Sequence, residues 1–241
     1  MKKYAFFPLI MILFIGFFAF QTVANAAENL EDWTFFVWQG NITMSPSGTV
    51  VNVQTPGSDL EEWSRLSKNF PNALGLKATV NISSINGEAN IGIRQNVGIN
   101  AAGNRILAEI YLAGYNGDKG INFKIRERDD QGNTLKVIVT GHPGDWEGTW
   151  SSGQDVEIGL ARISDYEICF YTPANSAFII IKLSEKMNDF DSGAQIYAWT
   201  AVGSNNTLTG TVSNVGIIYS DNLMVFKDAL PQKSAVVVPL F

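Results

Sequence analysis

The sequence predicts an all-β protein, and three observations predict it. Along most of the run from Ala89 to Tyr171 every second residue is apolar, with charged, aromatic or Gly residues between. A sheet shows this pattern when one face packs on a core and the other meets water or a ligand. Runs rich in β-branched and aromatic residues alternate with turn chemistry, as at Asn116-Gly117-Asp118, Asp130-Gln131-Gly132-Asn133 and Pro143-Gly144-Asp145. Helical signals are scarce. Many short strands and almost no helix mean a sandwich or a barrel.

The N-terminus reads as a secretory signal. Lys2 and Lys3 precede an apolar stretch from Ala5 to Phe20, and Val23-Ala24-Asn25-Ala26 supplies the small-x-small cleavage pattern. An uncleaved membrane anchor is the alternative, and Pro8 interrupts it. No Cys follows the apolar region, which argues against a lipid anchor, and no second stretch is long enough to span a bilayer. The expected organisation is a signal over 1–26, one β-sandwich domain over 27–227 and a tail over 228–241. The expected location is secreted or periplasmic, with no stable membrane insertion once the signal is removed.

The remaining elements follow in order. Strands are predicted at Thr34–Trp38, Thr49–Gln54, Leu74–Ser83, Ala89–Val97, Arg105–Ala113, Ile121–Arg128 and Thr134–Thr140. Others follow at Val156–Ile163, Glu167–Thr172, Ala177–Leu183, Gln195–Val202, Thr211–Tyr219 and Leu223–Lys227. One short helix is expected, because Ser58-Asp59-Leu60-Glu61 is a capping-box pattern leading into Glu62–Leu66 ahead of Pro71. If Asp129–Asn133 is a loop, Ile125 faces Val137, Phe123 faces Val139, and Arg126 meets Lys136 as a like-charge pair. A three-residue turn at Ile163–Asp165 puts Ile158, Leu160, Ile168 and Phe170 on one face, where a two-residue turn splits them. The tail, with Val236-Val237-Val238, offers an edge strand or a contact for a protein partner.

Composition narrows the function classes. The chain has 241 residues and a net charge of −6, so it is a poor general binder of nucleic acid. Its one cysteine, Cys169, excludes an intrachain disulfide and reads as a packed thiol. Its one histidine, His142, sits in the turn Gly141-His142-Pro143-Gly144. One His and one Cys cannot make a His/Cys zinc site, and nothing marks a nucleophile elbow for a Ser-His-Asp triad.

With apolar parity inward, the opposite face carries Asn90, Arg94, Asn96, Arg105, Glu109, Tyr111, Lys124, Arg126, Arg128, Lys136, Glu157, Glu167 and Tyr171. Gln195, Tyr197 and Trp199 join them if their strand has the same parity. A basic stripe on an acidic chain points to an anionic ligand such as a uronate-containing polysaccharide, because Arg grips carboxylates bidentately. Tyr and Trp give flat platforms for sugar rings. A plain solvated sheet face is the alternative. In Asp145-Trp146-Glu147-Gly148-Thr149-Trp150, Trp150 is the expected core anchor and Trp146 the exposed member. The candidate ligand-binding residues are therefore Arg94, Glu109, Tyr111, Arg126, Trp146, Tyr171 and Trp199.

Several segments together resemble the concanavalin A-like lectin/glucanase superfamily, which includes laminin G-like domains. They are Ala78–Ile82 with Ala89–Arg94, then Ile106–Leu112, then Trp150 and Val156–Ala161 running into Glu167–Tyr171. The last resembles that family's hairpin, in which a Trp- and Gly-bearing loop leads into two strands. The likeness spans roughly residues 30–227. It implies two antiparallel sheets in a jelly-roll, with ligands on the concave face or at a loop rim.

The resemblance also frames the functional alternatives. The glucanases' Glu-x-Asp-x-x-Glu or Glu-x-Asp-x-Glu strand is absent here. A carboxylate pair from different strands, such as Glu109 with Glu157 or Glu167, is the remaining hydrolase option. Tyr111-Leu112-Ala113-Gly114-Tyr115-Asn116 is faintly similar to the Tyr-rich strand of jelly-roll alginate lyases, but their Gln-x-His element is missing. The family's lectins often bind calcium. Asp129-Asp130-Gln131-Gly132-Asn133 and Asp189-Phe190-Asp191 offer oxygen ligands, though the first also reads as a hairpin turn. The leading expectation is a secreted, non-catalytic, lectin-like module for a glycan, with no cofactor and calcium left open. A polysaccharide-degrading enzyme on the same fold comes second, and a structural or adhesive surface protein third.

Overall fold

The structure, a computed structural model, describes residues 27–115, 118–141, 150–172, 177–189, 192–221, 223 and 236–239. The expected signal segment, His142, Trp146 and most of the strand expected at Leu223–Lys227 lie outside the described residues.

After a 3-10 turn at Leu30–Asp32 come β1 (Thr34–Gln39), β2 (Thr43–Ser47), β3 (Val50–Thr55), β4 (Glu62–Phe70) and β5 (Gly75–Asn86). The middle of the chain forms β6 (Ala89–Ile99), β7 (Arg105–Tyr115), β8 (Asp118–Arg128), β9 (Thr134–Gly141), β10 (Asp155–Ser164) and β11 (Glu167–Thr172). β12 (Ala177–Lys182), β13 (Ser192–Thr200), β14 (Thr207–Ile218) and β15 (Val236–Pro239) complete the chain.

These strands make a β-sandwich. One sheet has seven antiparallel strands in the order β1-β4-β13-β6-β7-β8-β9. The other has eight, β15-β12-β11-β10-β5-β14-β3-β2, and β15 alone pairs in parallel, with β12. Residues 236–239 of the Val-rich tail are thus an edge strand, one of the two roles its composition offered. Alternate side chains of both sheets fill the space between them. Leu66, Ile91, Ile93, Ile110 and Phe123 come from one side, and Val80, Ile158, Leu160, Phe170 and Val212 from the other. Phe123 and Phe170 stack across the sandwich, with ring centroids 4.8 Å apart and planes 25° apart. Trp150 closes one end of this core: its Nε1 donates to the carbonyls of Ala113 and Gly120, both at 3.2 Å.

The expected helix is absent. Residues 62–70 form β4, a strand inside the seven-stranded sheet. The inward positions of its first half are Glu62 and Ser64, both fully buried, so no apolar alternation announces it. Glu62 is satisfied locally, accepting from the Asn41 amide at 2.8 Å and from Thr55 Oγ1 at 2.9 Å.

Two hairpin registers also repay comparison with expectation. Around β8 and β9, Arg128 opposes Thr134 as the loop reading requires, but shifts at Leu135 and Ile138 then displace the pairing by two residues. Ile125 therefore meets Val139 rather than Val137, and Phe123 meets Gly141 rather than Val139. The same bulges move Lys136 opposite Glu127, so the Arg126–Lys136 clash does not arise. In the β10–β11 hairpin Leu160 opposes Phe170, with Ile158, Leu160, Ile168 and Phe170 all in the core as expected. The means differ: a two-residue Asp165-Tyr166 tip combines with a register shift between Arg162 and Ser164.

Candidate functional site

The outer face of the seven-stranded sheet carries a cleft of about 1300 Å³. Pairing aligns its residues in rows. One row runs Trp63–Trp199–Asn90–Ala113–Gly120 from β4 to β8. The next runs Arg65–Tyr197–Gly92–Tyr111–Asn122, and the third Ser67–Gln195–Arg94–Glu109–Lys124. Arg126 and Arg128 follow along β8, and Arg128 lies opposite Arg105.

The floor is charged and largely dry. Glu109 is 1% exposed and Arg94 3%. Glu109 Oε1 accepts from Arg126 Nη2 at 2.6 Å and lies 4.0 Å from Lys124 Nζ, while Oε2 has no partner among the described residues. Arg94 Nε donates to Gln195 Oε1 at 2.6 Å, and its guanidinium lies 4.4 Å from the Trp63 ring centroid and 5.0 Å from that of Tyr197. Burial pulls the Arg94 pKa down to about 9, with Glu109 opposing, so it is still a cation at neutral pH. Burial also lowers Arg126, but the Glu109 carboxylate more than offsets it and the pKa ends above its ordinary value. Tyr111 and Tyr197 are both pushed upward, first by burial and then by the nearby Glu109 charge.

Gly92 explains how two tyrosines fit one row. A Cβ there would stand 2.4 Å from Tyr111 Cβ and 2.4 Å from the Ile110 carbonyl oxygen. The missing side chain lets Tyr111 and Tyr197 meet edge-to-face over β6, at 6.2 Å between centroids.

One side of the cleft is an aromatic wall. Trp38 of edge strand β1 is 69% exposed and meets Trp63 edge-on at 6.1 Å, and Phe36 approaches the same indole at 6.2 Å. Arg65 lies against Phe36 and Trp63, at 4.9 and 5.4 Å from their centroids. Trp199 donates its Nε1 to Glu61.

Of the residues singled out from sequence, the cleft brings together Arg94, Glu109, Tyr111, Arg126 and Trp199. It does not include Tyr171. Strands β10 and β11 belong to the other sheet, where Tyr171 packs in a small cluster with Ala161, Cys169 and Ile218. Its ring covers Gly159, and its hydroxyl donates to Glu157 at 3.4 Å. Glu157 and Glu167 go with it, so neither can pair with Glu109 as a hydrolase couple. Parity put these residues outward correctly, but parity does not say which sheet a strand joins. Sequence reasoning overlooked Phe36, Trp38, Trp63 and Arg65. The available signal was the spacing Phe36-x-Trp38 and Trp63-x-Arg65, each two residues apart and so on one strand face.

The hairpin at Asp129–Asn133 is an ordinary turn. Asp129 accepts from the Asn133 amide at 2.7 Å and from Asn133 Nδ2 at 2.8 Å, and Gly132 takes a φ of +90°. Asp189 bonds Arg162 Nη1 at 2.9 Å. Among the described residues no three His, Cys, Asp or Glu side chains gather as a metal-holding group.

A two-sheet β-sandwich with a basic, aromatic-walled cleft is thus the class of protein defined by fold and site. No protein-family model matches the chain, and no curated protein matches it. Among solved structures, a functionally unknown protein from Saccharomyces cerevisiae is similar at a TM-score of 0.52 and 11% identity, over 80% of this chain and 98% of that one. A GlcNAcα1-4Gal-releasing endo-β-galactosidase from Clostridium perfringens gives 0.49 and 9%, over 75% of this chain and 56% of its own. The carbohydrate-binding module CBM66 from Bacillus subtilis gives 0.41 and 11%, over 76% of this chain and 95% of its own. The likeness to the yeast protein is one of fold alone, and nothing about this chain's chemistry follows from the other two.

Proposed function

We propose that this protein is a secreted, lectin-like module of concanavalin A-like fold that binds an anionic polysaccharide in the cleft without cleaving it. The observation that supports this reading most is the composition of the cleft. Arg94, Arg105, Lys124, Arg126 and Arg128 share a floor with one buried carboxylate, Glu109, beside a wall of Trp38, Trp63 and Trp199, in a protein whose net charge is −6. Guanidinium groups in a half-dry site hold carboxylate or sulfate oxygens strongly, and indole faces take the apolar face of a sugar ring.

A polysaccharide-degrading activity is the second reading. What favours it is Glu109 itself, a buried carboxylate with one oxygen unpartnered, next to Tyr111. Its partners across the sheet are Arg94 and Lys124, so the row offers no second carboxylate of the kind a glycosidase uses.

One experiment separates the two. The chain from Ala27 to Phe241 is titrated against uronate-rich and neutral polysaccharides while released chain ends are assayed. Binding to the uronate-rich polymers without new ends, weakened at least tenfold by Arg126→Ala, is the expected result. New ends abolished by Glu109→Gln would make the protein an enzyme. Silence across the panel would return the basic stripe to a solvated sheet face.

A further inference from the structure

The cations of the cleft differ in what already holds them. Arg126 donates to Glu109 Oε1 at 2.6 Å, and Lys124 lies 4.0 Å from the same oxygen. Arg94 donates to Gln195 and is almost wholly covered, its unpartnered Nη2 included. These three belong to the floor of the cleft. Arg65 of β4 does not. Its side chain has no hydrogen bond or ion pair among the described residues, and its buried Nε has no acceptor. Burial lowers its pKa, and no carboxylate opposes the shift. Glu109 keeps an unpartnered oxygen, Oε2, but among the described residues only Arg126 and Lys124 lie within ion-pair distance of that carboxylate.

Arg65 is nevertheless fixed in place. Phe36 is its register partner on β1, Trp63 precedes it by two residues on β4, and its guanidinium lies 4.9 and 5.4 Å from their centroids. Two rings orient the guanidinium plane, and no protein acceptor takes its N–H edge. A fork held in this way loses little freedom when it bonds an anion. A half-buried cation without an acceptor also carries a desolvation cost that an anion offsets. Arg128 enters the cleft from β8, on the other side. Its side chain likewise has no hydrogen bond or ion pair among the described residues, and the neighbouring Asp129 carboxylate accepts at both oxygens from Asn133. Burial and then Arg126 lower the Arg128 pKa, and Arg65 adds to this from across the cleft.

Building on the glycan-binding reading, we infer that Arg65, fixed on Phe36 and Trp63, is the residue that takes the glycan's oxyanion, a carboxylate or a sulfate ester, and that Arg128 meets the same ligand from the opposite side. Arg94 and Arg126 set the charge of the floor without bonding the ligand. Arg126 acts on binding indirectly: removing it leaves the Glu109 charge unopposed in a cleft that receives an anion.

Calorimetry at low and high salt tests this with two oligomers, tetragalacturonate for the carboxylate and a carrageenan tetrasaccharide, sulfated and free of uronate, for the sulfate ester. Arg65→Met keeps an apolar stem against both rings. It should weaken the tighter-binding oligomer about tenfold, the worth of one charge-assisted bond, and flatten its salt dependence. Arg65→Lys, which keeps the charge but loses the planar fork, should recover only part of that loss. The decisive comparison adds Glu109→Gln to two backgrounds. Added to Arg126→Ala it removes the buried pair as a unit, and affinity should return to within about threefold of the parent. Added to Arg65→Met it should recover little. The oligomer that depends on Arg65 identifies the oxyanion, and either one supports the assignment. Affinity unchanged by Arg65→Met, or a double Glu109→Gln, Arg126→Ala variant as weak as Arg126→Ala alone, would overturn it while leaving glycan binding intact. Failure of both oligomers and of their parent polymers to bind would overturn the glycan-binding reading itself.

Discussion

Replacing Glu109 with Ala removes the single anion from a floor of cations, and the structure sets the scale of the loss. The carboxylate is 2.6 Å from Arg126 Nη2 and 4.0 Å from Lys124 Nζ. At an effective dielectric constant of about 20 these separations correspond to gross attractions of roughly 6 and 4 kcal/mol. Desolvation of the three groups cancels much of that, so the measurable quantity is the penalty for leaving the cations behind. Breaking a fully buried pair costs about 3–5 kcal/mol. The Arg126 side chain is 28% exposed and can rehydrate in part, which brings the expected loss to about 2–4 kcal/mol. For a domain of about 200 residues this lowers Tm by roughly 6–12 °C. Urea and thermal unfolding at low and near-molar salt are the assay. Salt should recover part of the loss by screening the stranded cations, and Glu109→Gln, which keeps an acceptor for Arg126, should cost less than Ala. A loss below about 1 kcal/mol, equal at both salt concentrations, would refute the view that Glu109 neutralises this floor.

Other outcomes are equally definite. Phe123→Ala, which removes one ring of the 4.8 Å stack with Phe170, should cost about 3–5 kcal/mol in urea unfolding; a change within experimental error would show that the sandwich does not depend on that contact. Gly92→Ala should cost about 1–3 kcal/mol through overpacking against β7 and reduce ligand binding as well, because the new Cβ must push Tyr111 or the strand aside. Tyr111, Tyr171, Tyr197 and Tyr219 all have pKa values raised above 10.0. The native state therefore keeps protons that the unfolded chain gives up above pH 10, so stability is intact below that value and falls as pH climbs beyond it. Tyrosinate absorbance should stay short of its full count until the fold gives way, and a full, reversible titration of the native protein would contradict this. Cys169, fully buried with its pKa raised to about 12 by desolvation, should resist thiol reagents at mildly alkaline pH until the protein is unfolded.

How much of this was readable in the sequence depends on the range of the interaction that decides each feature. Along most of β6, β7 and β8 the alternation holds, so the outward set Arg94, Glu109, Tyr111 and Arg126 follows from parity alone. Assignment to a sheet is different. β10 pairs with β5, placing Asp155 opposite Asn81, and nothing local in Val156–Ile163 says so; Tyr171, Glu157 and Glu167 were carried to the wrong sheet for that reason. β4 was hidden by chemistry: a buried Glu and a buried Ser occupy core positions, and the capping-box pattern at Ser58–Glu61 imitates a helix start. The β8–β9 register slipped because bulges at Leu135 and Ile138 break the one-for-one count that a loop length implies.

The aromatic wall hangs on β1, an edge strand with a single pairing partner, β4. All six of its residues are exposed, including Phe35, Phe36, Val37 and Trp38. Few buried contacts and one row of ladder bonds make such a strand the first part of a sheet to open. The floor of the cleft, by contrast, is carried by the interior strands β13, β6, β7 and β8. On the proposed glycan-binding reading, a sugar seated on Trp38 would do more than touch the wall: it would close an easily opened hem of the sheet. Occupancy should register as slowed amide hydrogen exchange across residues 34–39, with the interior strands, already protected, barely changed.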